Sequence, residues 1–160
     1  MFEITICPVK KLYTIASDAD LEDVAAIMVS SFEVNTDSLV NLGRYLILGF
    51  ADTEDADRYD AISDDNADEI CRFVKELPDE LDTLFVCCDS GESRSTAMAA
   101  AIARYKGLDE WVIWDDPRYN PNGLVYRRVC TGFRIDAQDD EIALRKQRNR
   151  DALRRLINKQ

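Results

Sequence analysis

Histidine is absent from all 160 residues. That removes every catalytic pair or triad built on imidazole, and most zinc sites. The cysteines at 7, 71, 87, 88 and 130 form no C-x-x-C pair, so no structural metal is expected. Their odd number and irregular spacing indicate free thiols rather than a disulfide framework. No apolar run approaches the roughly 18 residues of a membrane-spanning helix. The N-terminus, MFEITICPVKK, has neither the basic start nor the long apolar core of a secretory signal. A cytoplasmic protein is the expectation. Internal repeats, low-complexity segments and interdomain linkers are also missing, so residues 1–160 read as one domain with a sizeable core.

What is present in excess is negative charge, a formal balance of -11. It is uneven. Residues 143–160 hold seven Arg or Lys and one acid, whereas the first 142 residues balance at -17. Such a body repels nucleic acid and anionic membranes, and neither is expected as a partner. The basic tail reads as the solvated face of a C-terminal helix.

Apolar patterning alternates short strands with helices. FEITIC (2–7) reads as a first strand. Ser17 followed by DADLEDVAAIMV reads as an N-cap, an acidic first turn and a helix. SSFEVN is a candidate short strand, and RYLILGF (44–50) a further one. A helix is expected from about Ser63, stopped by Pro78, and TLFVC (83–87) as a buried, central strand. Gly107 is placed to close an alanine-rich helix. Asn120 and Pro121 suit a further helix start, and a last helix spans about 137–157 with Ile142, Leu153, Leu156 and Ile157 as its apolar contacts. The pattern predicts an α/β fold with a central, largely parallel sheet flanked by helices.

The chemistry concentrates between the strand at 83–87 and the helix after it, in CDSGESRS, Cys88 to Ser95. C-x5-R spacing alone is weak; its context is informative. Successive amides of Asp89, Ser90, Gly91, Glu92 and Ser93, with the N-terminus of the following helix, can point donors at one centre. Arg94 adds a planar fork suited to two phosphate oxygens. The same field favours a thiolate on Cys88, a nucleophile for phosphoryl transfer. Ser95 can donate to that sulfur and ease its departure. Asp89 and Glu92 are expected to face solvent and, with the acidic body, to disfavour polyanionic substrates. Strand alternation turns Cys87 to the opposite face from Cys88, as a small core residue.

This stretch resembles the phosphate-binding loop of the cysteine-dependent protein tyrosine phosphatase superfamily, Cys-x-x-Gly-x-x-Arg-Ser/Thr, matched at Cys88, Gly91, Arg94 and Ser95. It is most similar to the compact dual-specificity and bacterial tyrosine-phosphatase-like branch. The acidic loop GFADTED stands where the family carries its general-acid aspartate, and YNPN (119–122) is similar to bacterial members. The position before the nucleophile, histidine in the family, is Cys87. The resemblance implies a dual-specificity-phosphatase-like fold and hydrolysis of a phosphorylated protein or small phosphomonoester through a phosphocysteine. It implies no metal or other cofactor. It offers Asp52 as general acid, with Asp55 next and Asp57 and Asp60 behind them. Two other readings stand beside it: a phosphate-binding pseudophosphatase without efficient turnover, and a rhodanese-like sulfurtransferase.

Overall fold

The computed structural model describes residues 2–18 and 21–160. Its chain order is β1 (Glu3–Pro8), α1 (Val9–Asp18), β2 (Leu21–Val29), a 3-10 turn at Thr36–Leu39, β3 (Leu42–Leu48), α2 (Asp64–Lys75), β4 (Thr83–Cys88), α3 (Arg94–Lys106), α4 (Trp111–Trp114), α5 (Gly123–Gly132) and α6 (Asp139–Asn158). The four strands form one sheet in the order β1-β4-β2-β3, and every pair is parallel. The expected α/β fold with a parallel sheet is therefore observed, and β4 is an interior strand as predicted.

Strand alternation divides the core. Leu84, Val86 and Cys88 of β4 join Ala25, Ile27 and Val29 of β2 beneath α2, α3 and α5. Phe85 and Cys87 join Ala26 and Met28 on the opposite face, against Leu12 and Ala16 of α1. Cys87 thus lies across the sheet from Cys88, with its Sγ 3.5 Å from that of Cys7.

Three expectations are corrected. The run LEDVAAIMV is strand β2, not a helix, and Ser17 lies near the end of α1 rather than at an N-cap. Residues Ala25–Val29 are fully buried in succession because both faces of a covered parallel sheet are dry, which erases the period-2 signature of a strand. Val9, Leu12 and Ala16, at helical spacing, give α1 its buried stripe instead. SSFEVN forms no strand among the described residues; its serines directly follow β2. Helix α5 is capped by Asn122, two residues after the expected Asn120, with Asn122 Oδ1 accepting from Val125 N at 3.0 Å.

Elsewhere the local chemistry matches its expectation. Ser63 and Asn66 close a reciprocal capping box on α2. Gly107 caps α3 at φ 73°, in the left-handed region. Helix α6 differs in which face it buries: Ile142 is buried, but Leu153, Leu156 and Ile157 are exposed. Polar residues dock it. Arg145 is buried against Glu110 (Nε to Oε1, 2.8 Å), and Asn149 Nδ2 donates to the carbonyls of Trp114 and Tyr119. Glu110 also accepts from Trp114 Nε1 and the Tyr126 hydroxyl, so its charge is met on several sides. The tail is therefore only in part a solvated face.

Candidate active site

Cys88 ends β4 and Arg94 opens α3, so residues 88–94 cross the carboxyl edge of the sheet, where an open α/β fold exposes its loops. The turn depends on Gly91, whose φ is 72°. A Cβ there would meet Pro8 N at 2.9 Å and the Cys7 carbonyl carbon at 3.0 Å, so β1 leaves no room for a side chain. The outer rim of the loop is pinned by YNPN. Asn120 N donates to Glu92 O at 2.9 Å, and Asn122 N to Ser93 O at 3.2 Å. In a trans peptide the carbonyl and the next amide point in opposite directions. Carbonyls drawn outward therefore turn the amides of Ser93 and Arg94 inward.

At the focus lies Cys88 Sγ. It accepts from Gly91 N at 3.2 Å and lies 3.1 Å from Ser95 Oγ, to which the thiol donates. In the thiolate the latter contact reverses and Ser95 donates. Burial by itself pushes the Cys88 thiol up. Hydrogen bonds from the Ser95 hydroxyl and the amides of Ser95, Gly91 and Ser93 outweigh it and leave the thiol below its ordinary value of 9.0. Cys71 and Cys130, which no ring of loop amides surrounds, are pushed up by burial to about 12 and about 11.

Arg94 is buried beside the loop. Its Nη1 donates to Phe50 O (2.8 Å) and Ser31 Oγ (3.2 Å), and Nη2 donates to Asp89 Oδ2 (3.0 Å). Three of its five N–H groups are thus engaged. Nε–H and one N–H of Nη2 remain without a partner among the described residues, on neighbouring nitrogens, as a two-pronged phosphate contact requires.

Asp89 corrects an expectation. It is half-buried rather than free in solvent: it accepts from Ser30 Oγ (2.6 Å), Ser31 N (2.9 Å) and Arg94. Burial tends to raise its carboxyl, but these donors hold it below the ordinary 3.8. Glu92 and Ser90 are exposed, and Ser90 Oγ accepts from Glu92 N at 3.3 Å. Ser93 turns outward, its hydroxyl donating to Asp52 Oδ1 at 2.8 Å.

Asp52 is therefore brought to the loop. Asn122 Nδ2 donates to the same Oδ1 (2.9 Å) and to Thr53 O (3.0 Å), which fixes the acidic loop against α5. Asp55 is exposed and accepts from Asp57 N within its own turn, and Asp60 pairs with Arg58. Neither Asp55, Asp57 nor Asp60 bonds to residues 88–95. Two depressions flank the loop. One, of about 350 Å³, is lined by Asp52, Ser93, Asn120, Asn122 and Lys146. The other, of about 450 Å³, is lined by Lys10, Tyr13, Ser30, Phe32 and Asp89.

Ser30, Ser31 and Phe50 were not singled out from sequence. Ser30 and Ser31 directly follow β2, which pairs with β4, and neighbouring parallel strands bring their following loops together; a helix over 21–29 would not. No group of three or more His, Cys, Asp or Glu suited to a metal occurs among the described residues, and no helix is long and apolar enough to cross a membrane.

No family profile matches the chain, and no curated protein matches it. Solved structures do. The Yvh1 phosphatase domain from Chaetomium thermophilum is 14% identical with a TM-score of 0.49, over 94% of this chain and 92% of that one. PTPMT1 is 13% identical with a TM-score of 0.47, over 97% and 94%. The catalytic domain of the PP-IP phosphatase SIW14 from S. cerevisiae, in complex with citrate, is 13% identical with a TM-score of 0.45, over 98% and 85%. At this level the likeness assigns no role to any residue of this chain.

Proposed function

We propose that the protein hydrolyses phosphomonoesters through a phosphocysteine on Cys88. One observation carries this reading: the buried Cys88 sulfur accepts from the Gly91 amide and lies against Ser95, in a loop that carries Arg94 and whose Ser93 hydroxyl holds Asp52. The Cys88 thiolate attacks phosphorus in line with the leaving oxygen. Arg94 and the loop amides take up charge on the equatorial oxygens, where preorganised donors act most strongly. Asp52 gives its proton to the departing oxygen. Water then attacks the phosphocysteine, Asp52 accepts its proton, and Cys88 leaves as a thiolate stabilised by Ser95. The substrate class is a phosphorylated protein, at tyrosine or at serine and threonine, or a small phosphomonoester.

The test is turnover of p-nitrophenyl phosphate with rapid-quench trapping of a phosphoprotein under denaturing, non-acidic conditions, lost in Cys88→Ser. Vanadate binding without turnover would point to a pseudophosphatase. Sulfur transfer from thiosulfate to cyanide, with no phosphate release, would point to a sulfurtransferase.

A further inference from the structure

A carboxylate beside the nucleophile is a puzzle for phosphoryl transfer, because its charge opposes that of the incoming group. The surroundings of Asp89 resolve it. Asp89 Oδ1 takes the Ser30 hydroxyl at 2.6 Å, and Oδ2 takes both the Ser31 amide and Arg94 Nη2. Ser31 then returns to Arg94 through its own hydroxyl, 3.2 Å from Nη1. The end of β2, the first residue of the loop and the guanidinium thus close a ring. The Phe50 carbonyl adds a further anchor from the end of β3.

We propose that Asp89 is a positioning residue for the reaction: it fixes the plane of the Arg94 guanidinium so that Nε–H and the free N–H of Nη2 face the phosphoryl oxygens. The inference rests on the phosphatase reading of this site. An arginine side chain is long and has many rotamers, and a fork is useful only when its plane is held. The ends of the guanidinium away from the free edge are anchored by Asp89, Ser31 and Phe50. Of these, Asp89 alone is charged, and charge-assisted hydrogen bonds are the stronger kind. Its own charge is met by three donors, so little of it is left to repel the substrate.

The opposite role, an anion competing with phosphate for Arg94, predicts the opposite sign. A double-mutant cycle decides between them. Asp89→Ala and Asp89→Asn are made in the full chain, alone and with Arg94→Ala. Each is assayed for kcat/KM on p-nitrophenyl phosphate and for vanadate affinity, with folding checked by thermal unfolding. Asp89→Ala should lower kcat/KM by about 30-fold or more, and Asp89→Asn, which keeps an acceptor, by about 5- to 10-fold. On the Arg94→Ala background both effects should shrink to under about 3-fold, because Asp89 acts through Arg94. Glu33→Gln, a neighbouring carboxylate lining the same depression, should stay within about 2-fold and controls for net charge.

Equal losses on both backgrounds would reduce Asp89 to a general structural part. Tighter vanadate binding in Asp89→Ala would make it a competitor of the substrate. Either result overturns the proposal. If Asp89→Ala fails to fold, the Asp89→Asn cycle gives the same comparison. If the wild type turns over no phosphomonoester, the phosphatase reading fails by itself. The vanadate arm then still judges Asp89: weaker binding that disappears with Arg94 supports positioning, and unchanged binding rejects it.

Discussion

At the scale of single residues, the thiol that matters is distinguished by its donors rather than by its burial. Five cysteines are buried, yet Cys88 alone is held by the Ser95 hydroxyl and the loop amides. Its lowered pKa has a definite sign in both reactivity and stability. Deprotonation is easier in the folded state, so the thiolate's stabilising contribution is fully present above the ordinary value of 9.0 and is lost as pH falls through the lowered one. Iodoacetate should therefore inactivate the protein at a pH where an ordinary thiol is protonated. The stability gap between wild type and Cys88→Ser should widen as pH rises toward 9.0. A labelling profile that rises only near 9.0 would contradict the donor geometry. Arg94→Lys replaces the fork by a point donor and should lower kcat/KM at least about 100-fold, about 2.7 kcal/mol of transition-state stabilisation. Asp52→Asn should hurt alkyl and phenyl phosphates far more than activated aryl phosphates, since only poor leaving groups need the proton. Asp55→Asn is the paired control; if it alone shows this selectivity, Asp55 is the acid.

At the scale of elements, Asn122 joins a helix end to the candidate site. Its Oδ1 caps α5 while its Nδ2 holds Asp52 and the Thr53 carbonyl. These two roles separate by substitution. Asn122→Ala should cost about 1 kcal/mol of stability for the lost cap and lower kcat together with it. Asn122→Ser restores an acceptor for the cap but cannot reach Asp52, so stability should recover and kcat should not. Equal recovery of both in denaturation and kinetic measurements would show that Asp52 needs no help from α5. Ala25–Val29 has no alternation because its two faces meet two dry cores, and an acidic start before an apolar run suits a helix as well as a strand.

At the scale of the whole molecule, two long-range effects remain. The first is charge. With Asp89 paired to Arg94, the repulsion of polyanions rests on the -17 of the first 142 residues and on exposed Glu92 rather than on the loop's own aspartate. Phosphopeptides with neutral or basic flanks should outperform inositol polyphosphates, and the difference should narrow as salt rises. A difference that salt leaves unchanged would place discrimination in direct contacts instead. The second is the docking of α6 through the buried pair of Arg145 and Glu110. Removing Arg145 leaves the buried Glu110 with only the Trp114 and Tyr126 donors and a distant Arg104, so Arg145→Ala should lower unfolding free energy by about 3 kcal/mol in denaturant titration. Leu153→Ala, on the exposed face, should fall within about 0.5 kcal/mol.

What the sequence determined by itself is whatever short-range chemistry encodes. Gly91 and Gly107 mark positive φ, Ser63 marks a cap, and the spacing from Cys88 to Ser95 marks a turn whose amides converge. These depend on neighbours a few residues apart, so they are legible in a string of letters. The parallel character of the sheet was legible too, because strands alternating with helices leave few other ways to bury both. Only the tertiary structure decided which distant groups complete the site. Ser30 and Ser31 reach Asp89 because β2 lies beside β4, and YNPN grips the outer rim of the loop because α5 packs on α3. It also tied Asp89 into the loop: three donors at a strand end replace part of the water that an isolated carboxylate would take.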